Sequence, residues 1–375
     1  TPAIWIQEHE PEIWHKTTHY MTISTYLTYK LIGSIVDSSA NQTGHFPIDF
    51  KKRRWYKDGH LKGSIFQIPR KMLCDLVQPG ELLGKISKEI AEMTGIPEGT
   101  PMYATGSDKG CETIGSGCLN NEMASISYGT ASSVEVTSKR YIEPEPFLPA
   151  YPAPIPKLYQ MEVQIYRGYW MINWFKSQFA EQEVKEASLE NIPVEKLLDQ
   201  KMLDIPPGSQ GLVLQPYWGP GLRRPDAKGA IIGFTDYHTK IHVYRAIVEG
   251  IAYGLRDGLQ GIENRQHKLV KEIRVSGGGS QSDAICQITA DIFGLPVKRI
   301  QTFETGSLGA AIIAFVAHGY YNTYEEAVEA MVHVSRTFTP DPEASKRYNF
   351  LFYEVYKDMY PHLMKMYKKL RAYKQ

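Results

Sequence analysis

Three short stretches combine residue types that can bind a phosphate or move a proton. The densest is Arg274-Val275-Ser276-Gly277-Gly278-Gly279-Ser280-Gln281-Ser282-Asp283, an apolar strand running into three glycines and then a helix. Glycines let a ligand approach the backbone, and the free N–H groups of a helix start favour phosphate or a nucleotide. The spacing is not the GxGxxG dinucleotide fingerprint, since no helix-packing glycine follows at the right offset. A tight strand-to-helix turn without a ligand fits the same residues. The second stretch is Ser127-Tyr128-Gly129-Thr130-Ala131-Ser132, with hydroxyls on both sides of one glycine. Its amides and the Thr130 hydroxyl can donate to a phosphate oxygen, and an ordinary hairpin turn is the competing reading. The third is Asp108, set between a strand and a helix, where α/β folds present catalytic groups. A carboxylate there can take the proton from an attacking hydroxyl, or simply cap the helix.

These residues need elements to hold them. The patterning predicts helices over 3–9 and 13–31, then a turn-rich, polar surface excursion over 34–70 and a helix near 71–76. A helix over 86–94 stops at Gly95, a buried strand follows at 101–105, and a helix rich in small residues runs over 108–118. Residues 123–136 alternate like two strands joined at Tyr128-Gly129-Thr130. The domain boundary falls before them, giving 1–121 and 122–375. A proline-rich, extended connection covers 142–157. Beyond it, strand and helix alternate: strand 211–216, loop 217–228, strand 230–234, helix 242–266, strand 272–276, helix 282–293, strand 296–299 and helix 306–317. Such alternation predicts an α/β domain with a largely parallel sheet.

Bulk properties restrict the partners. The chain has 375 residues, 42% hydrophobic and 22% charged, and 42 Lys plus Arg against 41 Asp plus Glu leave a net charge of +1. No basic footprint for nucleic acid or an anionic membrane is present, so a small-molecule partner is expected. No apolar run reaches the roughly 18 to 20 residues of a membrane span, and the chain reads as cytoplasmic. Cys74, Cys111, Cys118 and Cys286 form no CxxC pair, so neither a disulfide framework nor a zinc site is expected. His238 and His242 stand four apart but lack a third ligand. The aromatic group Tyr166, Tyr169, Trp170, Trp174 and Phe175 reads as a buried helix face, and the basic tail 365–374 as a solvated helix end.

In order and spacing these pieces resemble the FGGY carbohydrate kinases, within the actin-like ATPase and sugar kinase superfamily. The second family signature is approximated by Gly229-Ala230-Ile231-Ile232-Gly233-Phe234, seven residues, then His242-Val243-Tyr244-Arg245-Ala246-Ile247-Val248-Glu249, with Phe234 in place of the usual aliphatic. Trp5-Ile6-Gln7-Glu8-His9 resembles the tail of the first signature. The resemblance implies a two-domain α/β actin-like (ribonuclease H-like) fold with the cleft between the domains. It implies transfer of the ATP γ-phosphoryl group, with Mg²⁺, to a sugar hydroxyl, on a pentulose or hexulose.

By the same resemblance Asp108 is the general base. Lys109 stands where many members place a substrate-contacting Gln. Gly129 and Thr130 meet the β- and γ-phosphates; Gly278, Gly279, Ser282 and Asp283 form the adenosine motif; Gly168 and Asn173 are further nucleotide contacts. Gly306-Ser307-Leu308-Gly309-Ala310-Ala311 matches a packing motif, read as structural. Members open with an Asp-x-Gly-Thr strand that helps hold Mg²⁺. No such segment occurs in this sequence, so the first domain reads as truncated, with much of the sugar pocket missing. A nucleotide-binding remnant without turnover is therefore the alternative. A homodimer is the assembly the resemblance allows.

Overall fold

The computed structural model describes residues 1–42, 44–219, 221 and 223–373. Thr43 of the 34–70 excursion, Pro220 and Leu222 of the 217–228 loop, and Lys374 of the basic tail lie outside the described residues.

One seven-stranded sheet dominates. Its strands are β1 (Met123–Tyr128), β2 (Ser132–Ser138), β3 (Tyr151–Pro152), β4 (Tyr159–Ile165), β5 (Glu272–Ser276), β6 (Val297–Ile300) and β7 (Val334–Phe338), in the spatial order β7-β6-β5-β1-β2-β4-β3. β1, β2 and β4 form an antiparallel meander, whereas β5 runs parallel to β1 and β6 parallel to β5. The central sheet is thus mixed, not largely parallel. The β1–β2 hairpin has its turn at 129–131, where the sequence places it. The helices that matter below are α1 (Asp108–Gly115), α2 (Trp170–Phe179), α3 (Val194–Leu203), α4 (Lys240–Gln266), α5 (Asp283–Phe293) and α6 (Thr305–Ala317).

α4 lies on one face of the sheet. Val163 and Ile165 of β4 meet it at Gly258 and Gly254, where a Cβ would stand 2.8 Å and 2.6 Å from their methyl groups. Ile247, Ile251 and Leu255 of α4, all fully buried, join Val134, Val136 and Met161 in the main core. Arg245 and Glu249, the charged residues of the second signature, form a buried pair at 2.7 Å. The pair is saturated: Arg245 donates to the carbonyls of Met202 (3.1 Å) and Ile205 (2.7 Å), and Glu249 accepts from Gly208 N, Ser209 Oγ and Tyr348 Oη. That signature is therefore a scaffold, consistent with the rule that buried charges are paired and hydrogen-bonded.

On the opposite face α1 crosses α6. A Cβ at Gly115 would overlap the Thr305 carbonyl, and one at Gly309 the Cys111 carbonyl, so glycine on both helices permits backbone contact. Gly309 belongs to the motif read as packing, and packing is what it does.

The first part of the chain departs from the pattern reading. The expected helix over 13–31 is two helices, Pro11–Lys16 and Ile23–Ile32, separated where Thr22 caps the second by accepting from Thr25 N. Residues 34–70 are not a surface excursion: Phe46, Ile48, Phe50 and Trp55 form a core with Ile68, Met72 and Leu73. The helix expected near 71–76 is a short 3₁₀ turn, Arg70–Met72, followed by a strand, Asp75–Val77, which pairs parallel with Val36–Ser38. That pairing joins segments almost 40 residues apart in sequence, beyond the reach of a local pattern. Among the described residues no helix is long and apolar enough to cross a membrane.

Candidate active site

The glycine run ends β5. Gly277 takes φ 77°, a left-handed conformation natural to glycine, and its Cβ would press on the Tyr128 carbonyl at 2.8 Å. The loop therefore lies directly on the β1–β2 turn, as the Ser276 to Ser127 register requires. On the other side of that turn, Tyr169 N donates to Gly129 O (3.1 Å) and Trp170 N to Thr130 O (3.3 Å). The turn's carbonyls are committed. The amides of Gly129, Thr130, Gly278 and Gly279 donate to no backbone carbonyl among the described residues outside regular elements.

A cavity of about 870 Å³ opens between these two loops. It is lined by Gly129, Thr130, Asn173, Gly278, Gly279, Ser282 and Asp283, so seven of the nucleotide-contacting residues expected from the sequence share one space. Gly168 is the exception. It is buried against Ser132, whose side chain its Cβ would overlap, and serves the packing of the chain after β4 onto β2. Ser282 Oγ caps α5 by accepting from Ile285 N at 3.2 Å. Asp283, next to it, is held by Arg299 at 2.8 Å and by Arg336.

The far wall is α3, a helix absent from the pattern reading, which contributes Lys196, Asp199 and Gln200. Pro193 before Val194 was its available start signal. Asp199 accepts from Tyr244 Oη at 2.9 Å. Burial raises its carboxyl above the ordinary aspartate value, with the hydroxyls of Ser282 and Tyr244 opposing.

Asp108 stands outside this cavity. The capping role belongs to its neighbour: Ser107 Oγ accepts from Gly110 N at 3.2 Å, and Asp108 is the first residue of α1 with an exposed side chain. Asp108 Oδ1 accepts from Lys109 N at 2.8 Å, and Oδ2 has no partner among the described residues. Beneath it, a sequence-inconspicuous support appears. Asp37 is buried and accepts from Thr25 Oγ1 (2.5 Å), Gln42 Nε2 (3.1 Å) and Asn41 Nδ2 (3.0 Å). This fixes residues 38–42, whose Ala40 carbonyl accepts from Ser107 N at 3.0 Å and whose Ser38 Oγ donates to Thr105 O at 2.5 Å. The turn bearing Asp108 is thereby braced from below.

Lys109 points into the protein. Its Nζ donates to Glu112 Oε1 (3.1 Å), Glu112 Oε2 (3.0 Å) and Ser127 Oγ (2.8 Å). Burial lowers the tendency of this ammonium to stay protonated, but Glu112 and Glu135 outweigh it and hold its pKa above the usual lysine value. Since Ser127 lies near the end of β1, Lys109 ties the start of α1 to the β1–β2 hairpin. Among the described residues no group of three or more His, Cys, Asp or Glu side chains is placed to hold a metal ion. The described residues thus form no protein-made cage for a Mg²⁺ ion.

Residues 3–115 match the model of the N-terminal domain of the FGGY family of carbohydrate kinases, and residues 124–318 match that of its C-terminal domain. An uncharacterized sugar kinase, YgcE, of Escherichia coli K12 is 34% identical over 345 residues, covering 92% of this chain and 70% of that protein. A xylulose kinase of Staphylococcus epidermidis ATCC 12228 is 32% identical over 375 residues, covering 98% of this chain and 71% of that one. The crystal structure of a xylulose kinase from Rhodospirillum rubrum superposes with a TM-score of 0.84 at 24% identity, over 98% of this chain and 72% of that chain, and shows the two-domain fold. A remnant without turnover finds no support in these likenesses. With both domain models matched in order along its length, the chain belongs to the FGGY family of carbohydrate kinases.

Proposed function

We propose that this chain transfers the γ-phosphoryl group of ATP to a hydroxyl of a pentulose, with hexuloses as the neighbouring substrate class. The observation that carries the reading is the pairing of uncommitted loop amides around one cavity with an aspartate released from its capping role. ATP places its adenosine along Gly278, Gly279, Ser282 and Asn173, and its β- and γ-phosphates at Gly129 and Thr130. Amides fixed in two crossing loops need little reorganisation to meet phosphate charge, which is where most of the catalysis of phosphoryl transfer resides. Asp283 fixes the α5 start at the rim. Asp108 accepts the proton of the attacking hydroxyl. Lys109, whose donors are already engaged, acts as the strut between base and phosphate turn and not as a sugar contact.

Residues 1–121 then supply the base and 122–375 the nucleotide site. The pentulose preference rests on the xylulose kinase relative. Asp108→Asn tests the assignment: turnover falls by about a hundred- to ten-thousand-fold, as loss of a general base does, while the melting temperature and ATP affinity stay unchanged. Unaltered turnover in that variant would remove Asp108 from the mechanism.

A further inference from the structure

Asp37 is buried, 4% exposed, and no lysine, arginine or histidine pairs with it among the described residues. A buried carboxylate without a counter-charge must be held by hydrogen bonds alone. Oδ1 accepts from Ser38 N (2.7 Å) and Asn41 Nδ2 (3.2 Å), and Oδ2 from Thr25 Oγ1 (2.5 Å), Asn41 Nδ2 (3.0 Å) and Gln42 Nε2 (3.1 Å). Every partner is a donor. An amide in this place would turn its own N–H groups toward donors, so asparagine has the shape of Asp37 without its function.

The segment so fixed, 38–42, meets the residues that lead into Asp108. Ala104 is anchored at a distance from the acid: its N donates to Glu81 O and its carbonyl accepts from Gly80 N, both at 2.8 Å. Gly106 packs on Pro154, whose Cγ would stand 2.4 Å from a Cβ there. Closer to Asp108, Thr105 O accepts from Ser38 Oγ (2.5 Å) and Ser107 N donates to Ala40 O (3.0 Å). Ser38 Oγ is itself oriented by the Ala40 amide, which it accepts at 3.2 Å. The hydrogen bonds that residues 38–40 supply are thus nearer Asp108 in sequence than those from Gly80 and Glu81. Asp108 has an exposed side chain, so its direction depends on the backbone beneath it. A misplacement of about 1 Å in a reacting group can cost on the order of a hundredfold in rate.

We propose that Asp37 is a positioning residue for phosphoryl transfer: it touches neither substrate, and through Ser38 and Ala40 it sets the backbone from which Asp108 reaches the acceptor hydroxyl. The proposal rests on the kinase reading above. The test is a double-mutant cycle on the full chain with wild type, Asp37→Asn, Asp108→Asn and the double variant. Turnover and the KM for ATP are measured with whichever of D-xylulose, D-ribulose, D-fructose and glycerol wild type phosphorylates fastest, with enzyme in excess for the slow variants. Asp37→Asn should lower turnover by about tenfold to a hundredfold and leave the KM for ATP within about twofold. In the Asp108→Asn background the same change should cost less than about twofold, because a residue that works through Asp108 has nothing left to position. Ser38→Ala, which removes only the hydroxyl link to Thr105, supplies the same cycle if Asp37→Asn does not fold. Unchanged turnover in Asp37→Asn, or an equal loss in both backgrounds as general loosening of the fold would give, overturns the positioning role and leaves the kinase reading standing. A wild-type chain that phosphorylates none of the four overturns the kinase reading itself, and this role with it.

Discussion

Two acidic side chains, Asp108 and Glu162, are legible in the sequence to different degrees. Asp108 is visible in the sequence as a strand-end acid, but a base and a helix cap look alike there. In the structure Ser107 Oγ, one residue earlier, takes the Gly110 amide, and Asp108 Oδ1 takes only that of Lys109. Glu162 carries no sequence signal, since its character comes from standing opposite Glu135 on a neighbouring strand. Its titration has a sign that can be checked. The folded-state value of about 7 lies above the ordinary 4.5, so the folded chain keeps a proton that the unfolded chain releases. Its contribution to stability is full below pH 4.5 and is lost as pH rises toward 7, an effect on the order of 3 kcal/mol. Urea denaturation across that window should show Glu162→Gln losing less stability than wild type and ending the more stable of the two at pH 8. Equal slopes would mean that Glu162 ionises freely.

At the scale of elements, the glycine loop and the β1–β2 hairpin were readable because strand, turn and helix follow one another within about a dozen residues. The loop contains a contrast that a single methyl group can expose. A Cβ at Gly278 meets nothing within 4 Å, whereas one at Gly279 would stand 2.7 Å from the Tyr169 ring and 2.9 Å from Tyr128 Cβ. Gly278→Ala should keep the melting temperature and weaken ATP binding about tenfold, because the added methyl holds the nucleotide off the retained amide and costs about one hydrogen bond to a charged group. Gly279→Ala should weaken binding and also lower stability by about 1 to 3 kcal/mol through overpacking. Thermal melts with and without ATP distinguish the two, and equal melting temperatures would contradict the loop geometry. What sequence could not deliver is equally specific. The Asp75–Val77 strand depends on a partner at Val36–Ser38, and α3 becomes a cavity wall only through its approach to the α5 start.

Across the whole molecule, the α/β class, the family and a two-domain division followed from motif order, while the mixed sheet and the buried 44–74 core required the tertiary pairings. The chain covers 70 to 71% of the length of the two relatives compared. Lys109, next to Asp108, reaches Ser127, one residue before the turn that lines the large cavity. This arrangement leads to one prediction about the molecule as a unit: phosphate turn, glycine loop and Asp108 act together on a sugar. The direct measurement is ADP release by the wild-type chain from MgATP, with and without D-xylulose, D-ribulose, D-fructose and glycerol. The account predicts that at least one ketose raises ADP release well above the sugar-free rate, pentuloses most. ATP bound at the cavity with no sugar accelerating its cleavage would contradict it.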